Sequence, residues 1–461
     1  MKNLKINRQV YILLILIIPF FSQCKKNDAL VTPDNSYPQY GTPYANVPNA
    51  ADAIIYQVNI RAFSAAGDFK GVMVRLDSIK ALGTNVIYLM PVYPVGVLKA
   101  SYGLGSPYAV KDFKVVNTEF GTLEDLRALV NAAHEKGMSV MLDWVANHTS
   151  WDNEWIKNKS WYTQDMNGNI ISPEGTNWSD VADLNYNNRE MRTAMIDAMK
   201  YWVFNANIDG FRCDAVDFVP YDFWVEANAA LKKISTHTLI MLAEGTRNDH
   251  FKAGFQMVYG MGYYYVLENQ IFGNGASATR IQDFNTSEYA TALIGSQVVR
   301  YTTNHDVYLS DGSPVSLMGG KKGSMSAFLV TAFMKGVPMI YSGQEVGSTG
   351  VIDYFLKTPI NWSTNPDMKE EYKRILKFRS NSKAVKSGNL LAFSSDDVVA
   401  FTKTADTEKV MVIANLRGNP VTYDVPFSLV GTKWKNVFTG ASITLTQRMT
   451  LPQYEHFVLS N

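Results

Sequence analysis

Four carboxylate residues lie at the ends of predicted strands, where they could act as an acid, a base or a nucleophile. They are Asp143, Asp214, Glu244 and Asp306. A single carboxylate in such a position is often a helix cap or half of a structural ion pair. Four of them at one end of a parallel barrel would concentrate negative charge around one axis. This charge would destabilise the folded protein, so such an arrangement is expected only where the chemistry of a site requires it. The pattern therefore indicates a catalytic site.

The spacing of these carboxylates predicts which of them are neighbours. Asp214 and Glu244 are 30 residues apart, about one strand–helix unit, so they are expected on adjacent strands. Glu244 and Asp306 are 62 residues apart, about two such units. The 71-residue separation of Asp143 and Asp214 exceeds one unit and predicts an insertion after the third strand, at residues 147–188. Four tryptophans of this insertion are expected to overhang the site: Trp151, Trp155, Trp161 and Trp178.

Charged neighbours divide the carboxylates into two kinds. Arg212 precedes Asp214 by two residues, so the two side chains point to the same side of one strand, and the arginine would keep this carboxylate ionised. Glu244 has no arginine beside it in the sequence and is expected to hold a proton more readily. An ionised carboxylate acts as a nucleophile and a protonated one as an acid, which is the pair that retaining glycoside cleavage needs. Two of the six histidines, His148 and His305, lie within five residues of these carboxylates.

The elements that would carry these residues alternate between short strands and amphipathic helices. The strands are continuous apolar runs, typical of parallel strands covered on both faces, and segments such as Leu123–Lys136 and Glu190–Val203 predict helices between them. The fold class is therefore predicted as α/β, a (β/α)8 TIM barrel over residues 51–387, with its active site at the carboxyl ends of the strands. The predicted strands are Ile54–Ile60, Val86–Pro91, Ser139–Trp144, Gly210–Asp214, Leu239–Glu244, Gln256–Gly260, Val299–Asp306 and Pro338–Gly343.

Residues 388–461 follow a different pattern, with short strands separated by turns. They predict a C-terminal antiparallel β-sandwich domain. The segment contains no cluster of carboxylates and histidines, so we expect it to shield the barrel and assign it no chemistry. Its predicted strands are Val398–Lys403, Lys409–Ala414, Val421–Val425, Ile443–Leu445 and His456–Leu459.

Four blocks of the sequence resemble, in the right order, the characteristic motifs of the α-amylase family of glycoside hydrolases. One block alone would be weak, but the ordered set spans about the length of a whole barrel. The blocks are Asp143-Trp144-Val145-Ala146-Asn147-His148, Gly210-Phe211-Arg212-Cys213-Asp214, Ala243-Glu244-Gly245 and Asn304-His305-Asp306.

The resemblance implies a role for each catalytic carboxylate. Asp214 would attack the anomeric carbon of an α-glucan, Glu244 would protonate the leaving oxygen, and Asp306 would hold sugar hydroxyls as the ring flattens. Four further residues would bind the same sugar or orient these groups. They are Tyr108, which matches the stacking tyrosine of the family, and His148, Arg212 and His305.

The resemblance also implies a structural calcium ion, because Asn147 and Asp183 match family ligands that fix the insertion to the barrel. The sequence departs from the family pattern after the nucleophile. Asp217 and Phe218 stand where many members carry Lys-His, which changes the leaving-group subsite and part of the calcium shell. Ala215 follows the nucleophile directly, and in this family that residue is associated with α-1,4 cleavage.

The N-terminus resembles a bacterial lipoprotein signal. Three basic residues precede the apolar run Val10–Phe21, which is short for a transmembrane helix. The run ends at Phe21-Ser22-Gln23-Cys24, which predicts a signal peptide at residues 1–23, acylation of Cys24 and a polar tether at residues 24–50. An ordinary signal peptide with an incidental cysteine is the alternative. The prediction places the protein on a membrane of the bacterial envelope, in the periplasm or at the cell surface. The other cysteine is Cys213, so no structural disulfide is expected in the mature chain.

The net charge excludes some partners. Lys and Arg number 43 against 42 Asp and Glu, a net charge of +1, so bulk charge does not favour nucleic acid. The expected partner is an α-glucan oligosaccharide or polysaccharide. A transglycosylase that uses the same residues remains an alternative, as does a non-catalytic carbohydrate-binding protein on the same barrel. The sequence leaves the oligomeric state open.

Overall fold

The computed structural model describes residues 36–290 and 292–461 and contains eighteen strands within these ranges. The strands are β1 (Ile55–Val58), β2 (Val86–Leu89), β3 (Ser139–Val145), β4 (His148–Ser150), β5 (Val181–Asp183), β6 (Gly210–Asp214), β7 (Ile240–Ala243), β8 (Met257–Tyr259), β9 (Gln297–Arg300), β10 (Val337–Tyr341), β11 (Asn389–Ala392), β12 (Val398–Ala405), β13 (Glu408–Asn415), β14 (Val421–Asp424), β15 (Lys433–Asn436), β16 (Ser442–Thr444), β17 (Arg448–Leu451) and β18 (His456–Ser460).

Thirteen α-helices lie in the same described ranges, and most of them connect successive barrel strands. They are α1 (Ile60–Phe63), α2 (Phe69–Met73), α3 (Leu76–Ala81), α4 (Leu123–Glu135), α5 (Arg189–Ala206), α6 (Tyr221–Lys232), α7 (Met261–Tyr265), α8 (Thr279–Tyr289), α9 (His305–Ser310), α10 (Pro314–Leu317), α11 (Gly320–Phe333), α12 (Pro366–Asn381) and α13 (Lys383–Ser387).

Eight of the strands close into a parallel barrel in the order β1-β10-β9-β8-β7-β6-β3-β2. This confirms the predicted (β/α)8 fold, including the strand at β8. All residues of β3 and β6 are buried, as expected for strands packed inside against each other and outside against helices. The register pairs Asp143 with Arg212 and Cys213 with Ala243, so the carboxyl ends of β3, β6 and β7 lie side by side.

The last of the four motifs lies beyond its strand. β9 ends at Arg300, so the predicted strand Val299–Asp306 is wrong in its second half. The Asn304 side chain accepts hydrogen bonds from the backbone N–H groups of Asp306 and Val307 and so caps the N-terminus of α9. Because this cap begins a helix, His305 and Asp306 form the first turn of α9.

The insertion after β3 contains a small antiparallel ladder between β4 and β5, in which His148 pairs with Asp183. Two of its tryptophans pack inward instead of overhanging the site. The Trp155 ring centroid lies 4.9 Å from Phe113 and 5.3 Å from Trp161. The prediction that all four tryptophans overhang the site is therefore wrong for this pair, because an amphipathic insertion needs a small core of its own.

The C-terminal region forms a six-stranded antiparallel sheet, β11-β12-β13-β18-β15-β16, and a two-stranded sheet, β14-β17. The two sheets enclose a separate apolar core that includes Ile413, Tyr423 and Leu451. The predicted antiparallel domain is confirmed. β11, β15 and β17 were not among the predicted strands. They are short, and exposed or half-buried residues interrupt the apolar pattern of each one.

The segment before β1 lies against the barrel from Tyr37 onward. Tyr40 N–H donates to Phe204 O at 2.8 Å, the Arg127 guanidinium lies 4.1 Å from the Tyr40 ring centroid, and Tyr44 stacks on His134 at 4.6 Å. The described part of the predicted tether is thus docked. Cys24 and the predicted signal peptide lie outside the described residues. In the part of the chain that the structure describes, no helix has the length and apolarity needed to cross a membrane.

Candidate active site

A cleft of about 620 Å³ opens at the carboxyl ends of the barrel strands, a volume typical of small-ligand sites. Arg212 lies fully buried beneath it. The cleft therefore collects all three predicted catalytic carboxylates together with three of the four predicted binding residues. Those that line it are Tyr108, His148, Asp214, Glu244, His305 and Asp306.

Arg212 holds three of the strand-end carboxylates. Its Nη1 donates to Asp143 Oδ1 at 2.7 Å and to Asp214 Oδ1 at 2.8 Å, and its Nη2 lies 2.5 Å from Glu244 Oε1. Glu244 therefore has an arginine partner, although no arginine stands beside it in the sequence. The cause is register, because Arg212 pairs with Leu242 on the neighbouring strand and its fork reaches across to the end of that strand.

Asp143 is a site residue to which sequence reasoning gave no role. Its side chain has no exposed surface, and its Oδ2 accepts hydrogen bonds from Tyr88 OH at 2.6 Å and Tyr108 OH at 3.0 Å. Burial raises its pKa, while the charge of Arg212 acts in the opposite direction. Asp143 thus fixes both Arg212 and the hydroxyl end of Tyr108. Its place in the first family block was the signal that could have identified it.

The crowded carboxylates perturb one another. Burial and the charge of Glu244 raise the pKa of Asp214 well above its ordinary value, against the opposing charge of Arg212. The Asp306 side chain is 49% exposed, yet the partial desolvation of its carboxyl in the cleft and the charge of Glu244 raise its pKa to about 7. Several carboxylates share one arginine, so the ionisation of each opposes the ionisation of the others. Carboxyl groups that hold their protons unequally are what acid and nucleophilic catalysis need.

The backbone after Asp214 positions Glu244. Ala215 has a φ of 47°, in the left-handed region that residues other than glycine rarely occupy. In this conformation its N–H donates to Glu244 Oε2 at 2.9 Å. A strained residue between a candidate nucleophile and a candidate acid is the kind of outlier found at functional sites.

His305 and Tyr108 form a stacked pair in the cleft. Their ring centroids are 5.4 Å apart, and Tyr108 OH lies 2.6 Å from His305 Nε2. Gln57 Nε2 donates to His305 Nδ1 at 2.7 Å, which leaves the proton of a neutral ring on Nε2. Burial and the charge of Arg212 lower the pKa of His305 well below its ordinary value. His305 is therefore a neutral donor.

His148 and Trp178 bring the insertion to the cleft. Burial lowers the pKa of His148 to about 4, so this ring is also neutral. Trp178 packs edge-on against His148 at 5.6 Å and lies 5.4 Å from Phe218. Of the four predicted tryptophans, only Trp178 lines the cleft. Its contact with Phe218 gives a structural reason for the departure from the family pattern at this position, because Phe218 adds a second aromatic ring next to Trp178.

Asp217, the other departure, is bound by the loop after β7. Its carboxylate accepts hydrogen bonds from Thr246 N–H at 2.7 Å and from Arg247 N–H at 3.1 Å, and it lies 2.6 Å from His250 Nε2. These contacts, with His250 first among them, lower its pKa against the effect of burial. Asp217 thus ties the loop after β6 to the loop after β7.

The predicted metal ligands lie next to each other at one end of the β4–β5 ladder. Leu184 N–H donates to Asn147 O at 3.2 Å, which joins Asn147 to the residue after Asp183. Burial raises the pKa of Asp183, and a side-chain hydrogen bond with Thr163 acts in the opposite direction. A half-buried carboxylate and a buried amide fit the oxygen chemistry that calcium prefers. Within the described ranges, however, no three or more histidine, cysteine or acidic side chains gather into a metal site.

Two residues of the cleft could not have been found from the sequence. Tyr354 and Phe355 line it, and they belong to the long loop after β10. The Tyr354 ring lies 5.5 Å from His305 and 5.9 Å from Tyr108. No motif or periodicity marks them, because only the path of the loop brings them to the site.

Comparisons with known proteins agree with this geometry. The family description "Alpha amylase, catalytic domain" matches residues 34–169 and 175–406, and "Maltogenic Amylase, C-terminal domain" matches residues 389–458. Alpha-amylase 3 of Dictyoglomus thermophilum is 25% identical over 80% of this chain and 86% of its own length. A cyclomaltodextrinase of Geobacillus thermopakistaniensis is 26% identical over 84% of this chain and 69% of its own length.

A solved structure of an alpha-amylase from Lactobacillus plantarum superposes with a TM-score of 0.81 at 28% identity, covering 89% of this chain and 99% of that one. The family match extends over most of the chain and includes every barrel strand and the whole cleft. The chain is therefore a glycoside hydrolase and belongs to the α-amylase family.

Proposed function

We propose that this enzyme hydrolyses α-1,4-glucosidic bonds in maltooligosaccharides, starch or cyclodextrins with retention of configuration. The observation that carries the proposal is the contact of one buried arginine, Arg212, with both Asp214 and Glu244 at the base of an open cleft. Two carboxylates bound to one guanidinium suit the separation of about 5 Å found in retaining enzymes better than the wider gap of inverting ones.

In the first step, the Asp214 carboxylate attacks the anomeric carbon and the bond to the leaving oxygen breaks. The proton of Glu244 moves to that oxygen, which departs as a sugar hydroxyl. In the second step, Glu244 removes a proton from water, the water oxygen attacks the anomeric carbon, and the ester to Asp214 breaks. Atoms and charges balance over the two steps, and Glu244 ends protonated as it began.

The other cleft residues stabilise the sugar as its ring flattens. Asp306 lies 3.3 Å from His305 Nε2, so a carboxylate acceptor and a neutral donor face the same part of the cleft. Tyr108 stacks on His305 and presents its ring to the cleft as a platform for the reacting glucosyl unit. Groups aimed at the flattened ring contribute most when their contacts strengthen in the transition state.

The names of the relatives support an α-glucan as the substrate, since one is an α-amylase and another a cyclomaltodextrinase. The aromatic pair Trp178 and Phe218, which lines the cleft, supplies flat apolar surface of the kind that stacks on sugars. A transglycosylase would use the same carboxylates and differ only in whether water or a sugar accepts the glucosyl group. A non-catalytic binding protein is disfavoured because all three catalytic carboxylates line the cleft.

Product analysis tests the proposal. We expect the purified chain to release short maltooligosaccharides from starch and maltotriose. Chromatography of products from starch, pullulan, cyclodextrin and maltotriose would also separate hydrolysis from transfer, because transfer yields chains longer than the substrate. No release of sugar from any of the four substrates would contradict the proposed function.

We further propose a structural calcium ion, with Asn147 and Asp183 as two of its ligands and backbone carbonyls or water as the rest. Such an ion would neutralise the Asp183 carboxylate and fix the insertion against the barrel. It would take no part in bond cleavage.

The proposed location is a membrane of the bacterial envelope, reached through a lipid on Cys24. The sequence before residue 25 supports this proposal: a basic start, a short apolar run and a cysteine at its end. An acylated N-terminus with more than one chain would hold the enzyme stably at the membrane.

A further inference from the structure

The loop after β7 begins at the proposed acid, so the path of this loop decides where the acid lies. Glu244 N–H donates to Cys213 O at 2.9 Å, and Glu244 O accepts from Val216 N–H at the same distance. The Glu244 side chain accepts from Ala215 N–H at 2.9 Å. Glu244 is therefore bound, through its backbone and its carboxylate, by residues on either side of Asp214.

Asp217 binds the next stretch of the same loop. Its Oδ2 accepts from the N–H and from the hydroxyl of Thr246, at 2.7 and 2.8 Å. Its Oδ1 accepts from Arg247 N–H at 3.1 Å and lies 2.6 Å from His250 Nε2. Four donors thus meet one carboxylate, which offers about four lone-pair positions. Asp217 lines the cleft, but the protein itself occupies its acceptor positions, so it is not suited to bind a sugar hydroxyl.

His250 is the buried member of this network, and its side chain has no exposed surface. Burial would raise the pKa of Asp217, but its hydrogen bonds, with that of His250 first, lower it. An ionised carboxylate only accepts hydrogen bonds, so His250 Nε2 carries the proton of the bond between them. The His250 ring packs edge-on against Phe255 at 6.1 Å, which restrains its orientation. The Asp217–His250 bond is therefore charge-assisted and is among the stronger restraints on this loop.

Gly245 lies between the acid and this pair. A Cβ atom at Gly245 would lie 2.5 Å from His250 Nε2 and 2.6 Å from Asp217 Oδ1, so a side chain here would displace the pair. Arg247 Nη1 donates back to Asp217 O at 3.0 Å. The loops after β6 and β7 are therefore in direct contact and bound in both directions, which restricts movement of the acid at the start of the second loop.

We propose that Asp217 and His250 are positioning residues for the acid. By holding the turn after Glu244, they keep its carboxyl at the distance from Asp214 that retaining cleavage needs and within reach of the leaving oxygen. This role rests on the proposed function, since it has a meaning only where Glu244 donates a proton. Small displacements matter because a shift of about 1 Å in a reacting group can lower the rate on the order of 100-fold.

Two substrates that differ in their need for the acid test this role. In Asp217→Asn, either orientation of the amide turns its NH2 group toward two donors, so the turn after Glu244 shifts. We expect kcat on maltotriose to fall on the order of 10- to 100-fold, with KM changed by less than about 3-fold.

The initial release of fluoride from α-maltosyl fluoride needs no proton on the leaving group, so its rate should change by less than about 3-fold. Equal loss on both substrates in the folded Asp217→Asn variant would overturn the inference and leave the proposed function standing, because a general loss of structure slows both. No loss on either substrate would overturn it as well.

His250→Phe supplies a second variant in case Asp217→Asn does not fold. It keeps an aromatic ring in the buried site and removes the donor to Asp217, so maltotriose should slow on the order of 10-fold while fluoride release is retained. Asp222→Asn is the matched control, since this carboxylate pairs with Arg192 at 2.7 Å and its side chain is 67% exposed. It should leave the ratio of the two rates unchanged. A ratio unaffected by His250→Phe would contradict the role of the pair.

If the unaltered enzyme cuts neither substrate, the proposed function fails, and the position of Glu244 then judges the pair by itself. Crystal structures of the unaltered protein and of a folded variant, Asp217→Asn or His250→Phe, give this position. We expect the distance from Arg212 Nη2 to Glu244 Oε1, which is 2.5 Å here, to lengthen by about 1 Å or more in the variant, the displacement that matters for a reacting group. An unchanged contact would overturn the inference in this arm.

Discussion

Arg212 Nη2 lies 2.5 Å from Glu244 Oε1, so the arginine that contacts the proposed nucleophile, Asp214, also contacts the proposed acid. This contact keeps the Glu244 carboxyl close to Asp214, whose own oxygen accepts from Nη1 of the same guanidinium at 2.8 Å. Removing the charge of either carboxylate therefore changes the electrostatic environment of the other.

Glu244→Gln tests the division of roles. We expect turnover of maltooligosaccharides to fall by about 10²- to 10⁴-fold, the usual contribution of a general acid. An α-maltosyl fluoride needs no proton on its leaving group, so its first step should proceed and release about one equivalent of fluoride before deacylation limits the rate. A fluoride electrode follows this burst. Equal loss of activity on both substrates would show that Glu244 does more than donate a proton.

Asp306→Asn should increase the free energy of unfolding more at about pH 8 than at about pH 5. The pKa of Asp306 is raised from 3.8 to about 7 in the folded chain, so its ionisation opposes folding. The stability contribution of the protonated form is complete below about pH 4 and is lost as the pH rises through 7. Thermal melts of both proteins across this range measure the difference.

Asp424→Asn provides the matched control for these melts, since this carboxylate is exposed on the C-terminal sheet and paired with Arg448. Its substitution should not reproduce the gain above pH 7. A gain from Asp306→Asn that is equal at both pH values, or larger at the lower one, would contradict the assigned environment of Asp306.

Removal of calcium should lower the melting temperature. An ion held by Asn147 and Asp183 binds the folded chain and stabilises it by mass action, so a strong chelator should destabilise the protein and added calcium should restore it. Asp183→Asn should melt lower and respond less to the chelator. An unchanged melt, together with no calcium in the purified protein, would rule out the proposed site.

Cys24→Ser should release the protein from the membrane fraction. Without the thiol no acyl chain can be attached, and the described part of the chain has no helix able to cross a membrane. Fractionation of cells that express each form, with detection of the enzyme by antibody, measures the distribution. A variant that stays fully membrane-bound would contradict the lipid anchor.

Much of the fold could be predicted because its signals are local. Continuous apolar runs identified all eight barrel strands, and the polar residues at or shortly after their ends identified Asp214, Glu244 and Asp306, which line the cleft. The length of the Asp143–Asp214 interval identified the insertion. These features depend on short stretches of chain. Burial on both faces produces a continuous apolar run, and a polar residue at the end of the strand is visible directly in the sequence.

The features that the sequence did not predict depend on contacts between distant segments. The Arg212–Glu244 contact follows from the register of two strands, and the inward packing of Trp155 follows from its neighbour Phe113. The stacking of Tyr102 on Phe355 joins two loops that are more than 250 residues apart in the chain. No periodic pattern in the sequence predicts contacts of this kind, because the loops that form them have no regular pattern of apolar residues.

The anomeric form of the first product tests the central claim most directly. A fresh substrate solution is mixed with enzyme, and ¹H NMR follows the anomeric protons before mutarotation equilibrates them. Two displacements at one carbon, through the ester to Asp214, predict that the α-anomer appears first and the β-anomer grows in later. A β-anomer as the first product would contradict the retaining mechanism and, with it, the assignment of Asp214 as the nucleophile.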